Sequence, residues 1–122
     1  SARDVQTAHK QWYFGKSLDG FTPIGPCIVT ADEFDTYPPK LPIRCFVNGE
    51  KRQDSNTGLL IFDIDHVIAE LSQGMTLKAG TIIATGTPAG VGMGMDPPQF
   101  LKPGDVVRCE IDGIGTLTNP VK

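Results

Sequence analysis

The chain has 122 residues, of which 39% are hydrophobic, and this length is sufficient for one domain with a hydrophobic core. Its 11 basic and 14 acidic residues give a net charge of -3 without long runs of one sign, which argues against nucleic acid as a partner. No apolar stretch approaches the roughly 18 residues needed to cross a bilayer, so the composition favours a soluble, cytoplasmic protein without a membrane partner.

The first predicted elements are a short helix and a long loop. The helix is expected from Ala2 to about Lys10. Glycines and prolines are dense between Gly15 and Pro26, which favours an ordered loop over a regular element. A short strand is predicted directly afterwards, at Cys27–Val29.

A hairpin and an amphipathic helix follow. Residues 43–47 and 50–53 flank Asn48-Gly49, a dipeptide that supplies the positive φ values of a two-residue turn. The apolar residues between Ile64 and Leu71 recur at the spacing of one helix face, which predicts a helix near 64–73. Asp63 is suited to its N-cap, and Gly74 to a position just beyond its C-terminus.

The last third of the chain is predicted to be mostly β-structure. A β-branched strand is expected at Thr81–Thr85, followed by a second glycine-rich loop from Gly86 to Pro98. Two further strands, 105–111 and 115–118, are joined through the hairpin dipeptide Asp112-Gly113. The pattern therefore predicts one mainly β (α+β) domain, residues 1–122, with a single amphipathic helix.

Three cysteines, Cys27, Cys45 and Cys109, stand far apart in the sequence and form no C-x-x-C pair. Each has apolar or strand-like neighbours, which favours buried free thiols over a metal site or a disulfide.

Several familiar motifs are excluded by single residues. Gly15-Lys16-Ser17 copies the end of a phosphate-binding P-loop, but that motif requires glycine where this chain has Lys10. The glycines near 90 resemble a dinucleotide fingerprint, yet the third glycine is replaced by Met95 or Pro97. No G-x-S-x-G elbow is present, and neither His9 nor His66 has the spacing of a metal ligand.

Two loops remain as candidate ligand sites, 15–26 and 86–94. Lys16 lies between glycine and serine in a rigid loop, unlike a lysine on a solvated helix face. Thr87 is a weaker candidate, because Thr-Pro is also common turn chemistry.

Six short stretches together resemble the fumarylacetoacetate hydrolase family. They occur in the order and at the spacing of that family and cover nearly the whole chain. They are Ala2-Arg3-Asp4-Val5-Gln6, Gly15-Lys16-Ser17-x-Asp19, Pro23-x-Gly25-Pro26, Val47-Asn48-Gly49, Thr85-Gly86-Thr87-Pro88-Ala89-Gly90-Val91-Gly92 and Leu101-Lys102-Pro103-Gly104-Asp105.

The resemblance implies the fold and the chemistry of that family. The expected fold is a mixed β-sandwich roll of the fumarylacetoacetase C-terminal type, often homodimeric. The expected activity is that of a hydrolase or lyase that requires Mg2+ or Mn2+ and acts on C–C bonds of small 2-oxo or 1,3-dicarbonyl acids, such as acylpyruvates, fumarylacetoacetate or oxaloacetate. In such chemistry a metal and a cation stabilise the enolate that forms next to the carbonyl.

The resemblance also assigns residues. It implies that Lys16 is the active-site lysine, that Gln6 is a polar substrate contact and that Thr87 meets the substrate carboxylate. Arg3 and Asp4 are expected to form a structural pair that holds their loop. The family's metal ligands, two glutamates and an aspartate, would lie upstream of Ser1, so no metal ligand is expected within this chain.

Three alternatives stay open at this point. A dienedioate isomerase or a ureidoglycolate lyase of the same family would share the motifs quoted above. A catalytically inactive relative that serves as a ligand-binding or interaction protein would keep the loops without the chemistry. The resemblance further implies that this chain is the C-terminal portion of a catalytic domain whose N-terminal part lies outside it.

Overall fold

The structure of the chain, a computed structural model, describes residues 2–10 and 12–122. Within these residues there are two α-helices and four β-strands. They are α1 (Arg3–His9), β1 (Pro42–Val47), β2 (Glu50–Asn56), α2 (Ile64–Ser72), β3 (Val106–Ile111) and β4 (Gly115–Pro120). The α+β class predicted from the sequence is confirmed.

Both helices lie where the sequence predicts them. The carboxylate of Asp63 caps α2 by accepting a hydrogen bond from the His66 amide at 2.7 Å. Gly74 lies at the predicted place just beyond the C-terminus of α2, but without a positive φ, and the Gln73 amide bonds back to Glu70 and Leu71. No helix in the described part of the chain is long and apolar enough to cross a membrane.

The four strands form one antiparallel sheet in the order β2-β1-β3-β4, which is two hairpins joined edge to edge. Asn48 and Gly49 form the first turn with φ values of 52° and 84°, as the Asn-Gly dipeptide predicts. The second turn, residues 112–114, also lies at the predicted place. Alternation and turn chemistry therefore specify this sheet locally.

One row of paired residues crosses the whole sheet. Cys45 pairs with Gln53 on one side and Cys109 on the other, and Cys109 pairs with Leu117. Directly paired residues of antiparallel strands point to the same face, so these four side chains, here called the central row, share one face. The same face carries the apolar residues Ile43, Val47, Val107 and Ile111.

The opposite face is charged. The guanidinium of Arg44 donates to both carboxylate oxygens of Asp112, at 2.9 and 3.1 Å, and these bonds hold the pKa of Asp112 below its usual range. Arg108 lies 3.1 Å from Glu110 and stacks over the ring of Phe46. This face therefore has the ion pairs typical of a solvated surface.

The expected hydrophobic core is not formed within the described residues, where no hydrophobic side chain is buried. Ile61, Ile28 and Leu59 are 93%, 82% and 74% exposed, and neither helix packs extensively against the sheet. The prediction of buried thiols is wrong for the same reason, since Cys27 and Cys109 are exposed and Cys45 is only partly covered.

Two predicted strands are also absent from the described residues. Residues 27–29 and 81–85 have β-branched sequences but form no strand. A strand requires a partner for its backbone hydrogen bonds, and in this sheet β2 and β4 are the edges, with no further strand beside them in the described residues.

Candidate functional site

Gln6 and the turn that carries Lys16 pack together at the N-terminal end of the described chain. A Cβ added at Gly15 would lie 2.5 Å from the Gln6 Cγ and 2.8 Å from the Ala2 carbonyl oxygen, so only glycine fits there. The Ala2 amide donates to the Gly15 carbonyl at 2.8 Å. Helix α1 therefore fixes the short 3₁₀ turn Phe14–Lys16, from which the exposed Lys16 side chain projects.

Gln6 is the most deeply buried side chain of the described residues, with 2% of its surface exposed. Its Nε2 donates to the Trp12 carbonyl at 3.3 Å, whereas its buried Oε1 has no hydrogen-bond partner among the described residues. A buried acceptor without a donor is costly, so this oxygen stands out among the buried polar atoms of the described residues. Gln6 packs against Gly15 and so supports the turn Phe14–Lys16 directly.

Thr87 lies in a loop that is bound to β2 by one side chain that the sequence analysis did not identify. The Nε2 of Gln53 donates to the Thr87 hydroxyl oxygen at 2.9 Å, to the Pro88 carbonyl at 2.9 Å and to the Ala89 carbonyl at 3.3 Å. The available sequence signal was the place of Gln53 in the strand, which puts its polar side chain on the same face as Cys45 and Ile43.

The glycines after Thr87 serve the packing of this loop. A Cβ at Gly90, where φ is +99°, would lie 1.9 Å from the Arg52 carbonyl oxygen, and a Cβ at Gly92 would lie 1.9 Å from the Gln99 carbonyl oxygen. Gly86, in contrast, has a φ of +106° and no atom within 4 Å of an added Cβ. The loop is therefore pressed against β2 at Gly90 and open beside Thr87.

The two candidate loops are anchored at opposite edges of the sheet. An added Cβ at Gly25 would lie 3.6 Å from Leu117 on β4, and Cys27 Sγ lies 3.5 Å from the Ile114 carbonyl oxygen. Gln53 and Leu117 are the two ends of the central row, so the loops approach the same face of the sheet from its two sides. The structure thus brings Gln6 to the turn of Lys16 and anchors Thr87 at the other edge strand.

A cavity of about 550 Å³ lies beside the Thr87 loop, with Gln53, Gly90 and Arg52 in its wall. Arg52 is 17% exposed and lies 3.2 Å from Glu50 and 2.8 Å from the Met95 sulfur, which braces the loop against β2. A second cavity, of about 650 Å³, is lined by Ile28, Phe34 and their neighbours. Neither cavity is lined by Gln6, Lys16 or Thr87.

A hydrogen-bonded clamp in the wall of the 550 Å³ cavity joins the two hairpins. Asp105, 6% exposed, accepts from the Asn48 amide group at 2.9 Å and from the Lys102 backbone amide at 3.0 Å, and these bonds lower the pKa of its carboxyl. The Val106 amide donates to the Asn48 side-chain oxygen at 2.8 Å. The clamp fixes the start of β3 against the turn between β1 and β2.

The described residues include no group of three or more His, Cys, Asp or Glu side chains that could hold a metal ion. Each histidine instead stacks on an aromatic ring, His9 on Phe14 and His66 on Phe62, with ring centroids 5.9 and 4.8 Å apart. No ion pair between Arg3 and Asp4 is seen among the described residues, and the guanidinium of Arg3 lies over the ring of Trp12, 5.5 Å from its centroid.

Comparison with known proteins identifies the family. The family model described as fumarylacetoacetate (FAA) hydrolase C-terminal matches residues 1–122. Oxaloacetate tautomerase YisK of Bacillus subtilis is 50% identical over 121 residues, which are 99% of this chain and 40% of that protein. The chain therefore spans well under half the length of this relative.

Solved structures agree with this comparison. Fumarylacetoacetate hydrolase from the psychrophile Exiguobacterium antarcticum is 54% identical, with a TM-score of 0.93 over 100% of this chain and 43% of its own. Maleylpyruvate hydrolase from Sphingobium sp. SYK-6, solved with manganese(II) and pyruvate, is 44% identical, with a TM-score of 0.77 over 88% of this chain and 38% of its own. The expected type of fold is confirmed, and the chain belongs to the fumarylacetoacetate hydrolase family.

Proposed function

We propose that the complete protein carrying this chain is a divalent-metal-dependent enzyme that acts on small 2-oxo acids through their enol or enolate forms. Its first candidate reaction is the keto–enol interconversion of oxaloacetate. The observation that carries this proposal is the 50% identity, over almost the whole chain, to an oxaloacetate tautomerase. In this proposal the chain supplies the side chains that hold the substrate.

Lys16 is proposed to hold the negative charge of the substrate. Removing a proton from the carbon between two carbonyl groups places charge on the 2-oxo oxygen, and a fixed ammonium group lowers the free energy of that oxyanion. Its fixed position is supported by the contact between Gly15 and Gln6, since the turn Phe14–Lys16 is packed against helix α1.

Thr87 and Gln6 are proposed to contact polar groups of the substrate. The Thr87 hydroxyl is exposed and lies next to the open position at Gly86, where a carboxylate has room to approach. The contact of Gln6 with the substrate is proposed on the family resemblance, and the Oε1 of Gln6 has no hydrogen-bond donor among the described residues. Both contacts orient a substrate without supplying the proton that is transferred.

The proposal includes a divalent metal ion whose ligands lie outside this chain. The described residues offer no ligand cluster, and a related hydrolase has been solved with manganese(II) and pyruvate. We propose that Mg2+ or Mn2+ is held by residues upstream of Ser1, as the family resemblance implies. No step assigned here to Lys16, Thr87 or Gln6 depends on that ion.

C–C bond hydrolysis is the second candidate, favoured by the 44% identity to maleylpyruvate hydrolase. Both reactions pass through an enolate of a 2-oxo acid, so Lys16 would have the same task in each. Hydrolysis needs in addition a base that activates water, and we propose that this base lies outside this chain.

The test is an activity screen of the complete protein with Mg2+ or Mn2+, before and after removal of the metal with a chelator. The substrates are enol-oxaloacetate, an acylpyruvate, a hydroxydienedioate and ureidoglycolate. We expect Lys16→Met to lower kcat/KM by roughly 100- to 1,000-fold, while Lys78→Met, at an exposed loop position, leaves it unchanged.

The pattern of turnover separates the alternatives. Tautomerisation alone supports the first proposal, and cleavage of an acylpyruvate supports the second. Turnover of the dienedioate or of ureidoglycolate would instead assign the isomerase or lyase activity. Binding of these acids without any turnover would indicate an inactive relative.

A homodimer and a cytoplasmic location are also proposed, on the family resemblance. The large apolar side chains exposed in the described chain, such as Ile61 and Leu59, support an assembly that covers them. Light scattering coupled to size-exclusion chromatography of the complete protein would test the dimer.

A further inference from the structure

The side-chain amide of Gln53, on β2, contacts the Thr87 hydroxyl and two backbone carbonyls of the same loop. The amide group of Gln53 faces three oxygen atoms, and two of them, the carbonyl oxygens of Pro88 and Ala89, can only accept hydrogen bonds. The atom that faces them must therefore be the nitrogen, which carries two protons. The third oxygen, Thr87 Oγ1 at 2.9 Å, accepts from the same nitrogen, so one of the two protons is shared between two of the three acceptors.

This arrangement leaves the Thr87 hydroxyl with one lone pair occupied and its proton directed elsewhere. A threonine hydroxyl has one proton and two lone pairs, and the Gln53 amide can donate to it but, through this nitrogen, cannot accept from it. Thr87 is exposed, and the space around Gly86 is open. The hydroxyl proton is thus left for an acceptor other than Gln53, and donation from Gln53 polarises it further.

We propose that Gln53 is a positioning residue that fixes the Thr87 hydroxyl as a hydrogen-bond donor to a carboxylate of the ligand. The proposal rests on the proposed function in one respect, namely that the ligand is a small carboxylic acid. The proposed hydrogen bond joins Thr87 to the carboxylate of the ligand, and this carboxylate has the same charge in the substrate and in the enolate. The hydroxyl therefore affects KM more than kcat.

Gln53 also holds two backbone carbonyls, so loss of activity on its removal would not separate positioning from bracing of the loop. A double-mutant cycle separates them. We expect Thr87→Val to raise KM by roughly 10- to 100-fold, the size expected for a hydrogen bond to a charged group. Gln53→Met should raise KM in the wild-type background and have little further effect in the Thr87→Val background. An equal effect in both backgrounds would assign Gln53 to bracing alone and overturn the proposal.

Gln53→Glu gives a second, independent readout. Protonated glutamic acid retains one donor of nearly the same shape, whereas the carboxylate can only accept and would capture the Thr87 proton. The ratio of the variant's kcat/KM to that of the wild type should therefore fall as pH rises through the pKa of the new carboxyl. Cys45, paired opposite position 53, does not titrate in this range, because burial raises its thiol pKa to about 11.

The control is Gln73→Met, which makes the same chemical change at an exposed position at the end of α2, and wild-type parameters are expected for it. For Gln53→Met, the ratio of kcat/KM to that of the wild type should not change with pH. A flat ratio for Gln53→Glu would contradict the assigned donor role.

Binding of oxalate, measured by calorimetry on the same variants, separates failure of this proposal from failure of the proposed function. If no substrate is turned over but the four proteins of the cycle show coupling between Gln53 and Thr87 in oxalate binding, the positioning role is supported and the proposed function is refuted. If oxalate binds with no coupling, the positioning role is wrong whatever the activity. If the complete protein neither binds oxalate nor turns over any acid, both proposals are refuted.

Discussion

Gly90→Ala tests whether the Thr87 loop is pressed against β2. The added methyl carbon would lie 1.9 Å from the Arg52 carbonyl oxygen, and this contact must open by more than 1 Å to reach the 3.0 Å below which real Cβ contacts are not seen. Because the neighbour is backbone, no side-chain rotation relieves the clash. The loop or the strand has to move.

The cost has two parts. An L-residue at a φ of +99° is strained by about 1–3 kcal/mol, and forcing an extra carbon into packed structure costs about 1–3 kcal/mol more. A shift of the loop would also stretch the bonds from Gln53 to Pro88 and Ala89, which are 2.9 and 3.3 Å long. We therefore expect Gly90→Ala to destabilise the protein by about 2–6 kcal/mol and to raise KM.

Gly80→Ala is the matched control. Gly80 has a φ of +84° but no atom within 4 Å of an added Cβ, so it carries the backbone strain without the clash. Urea unfolding of the two variants, with KM measured on the folded fraction, isolates the contribution of the contact. Equal free energies of unfolding for Gly90→Ala and Gly80→Ala would show that the loop does not pack on β2 as described.

Three further predictions concern acid stability, thiol reactivity and metal binding. The pKa of Asp105 is lowered in the folded state, so its carboxylate stabilises the fold above the unfolded-state pKa, and this stabilisation is lost as pH falls through the lower folded-state pKa. Asp105→Asn should therefore remove this loss of stability in acid, measured as thermal unfolding at a series of pH values. Asp65→Asn, at an exposed helix position, is the control and should not remove it. Cys45, with a pKa of about 11, should react with iodoacetamide at pH 8 far more slowly in the native protein than in urea, and equal rates would contradict its raised pKa. Calorimetry should find no tight, stoichiometric binding of Mg2+ or Mn2+ to the 122-residue chain alone, and such binding would place the ligands within it.

The sheet was predictable because its information is local. Asn48-Gly49 and Asp112-Gly113 specify the two turns, and the residues around them alternate between the apolar and charged faces. The helix α2 follows from the spacing of its apolar residues and from its Asp63 cap. Each of these signals lies within about ten residues along the chain and needs no distant partner.

The failed predictions of two strands and of buried thiols required distant partners. The segment 81–85 has strand composition but no neighbouring strand in the described residues, and Cys45 and Cys109 lie on a sheet face that no second layer of strands or helices covers in the described residues. The role of Gln53 was hidden for the same reason. It stands in the polar strand β2, which by sequence resembles a solvated edge, and its partners are more than 30 residues away.

The glycine-rich motif that identifies the family therefore has two physical origins in this chain. Gly90 and Gly92 are required by backbone carbonyls of the protein itself, whereas Gly86 borders open space beside Thr87. Only the open part of the motif, at Gly86 and Thr87, can depend on the ligand. This part contains few side chains that distinguish one small acid from another. Since Gly90 and Gly92 are fixed by packing against backbone carbonyls, relatives with different substrates can share the motif. Under the proposed function, substrate specificity then comes from residues outside this motif.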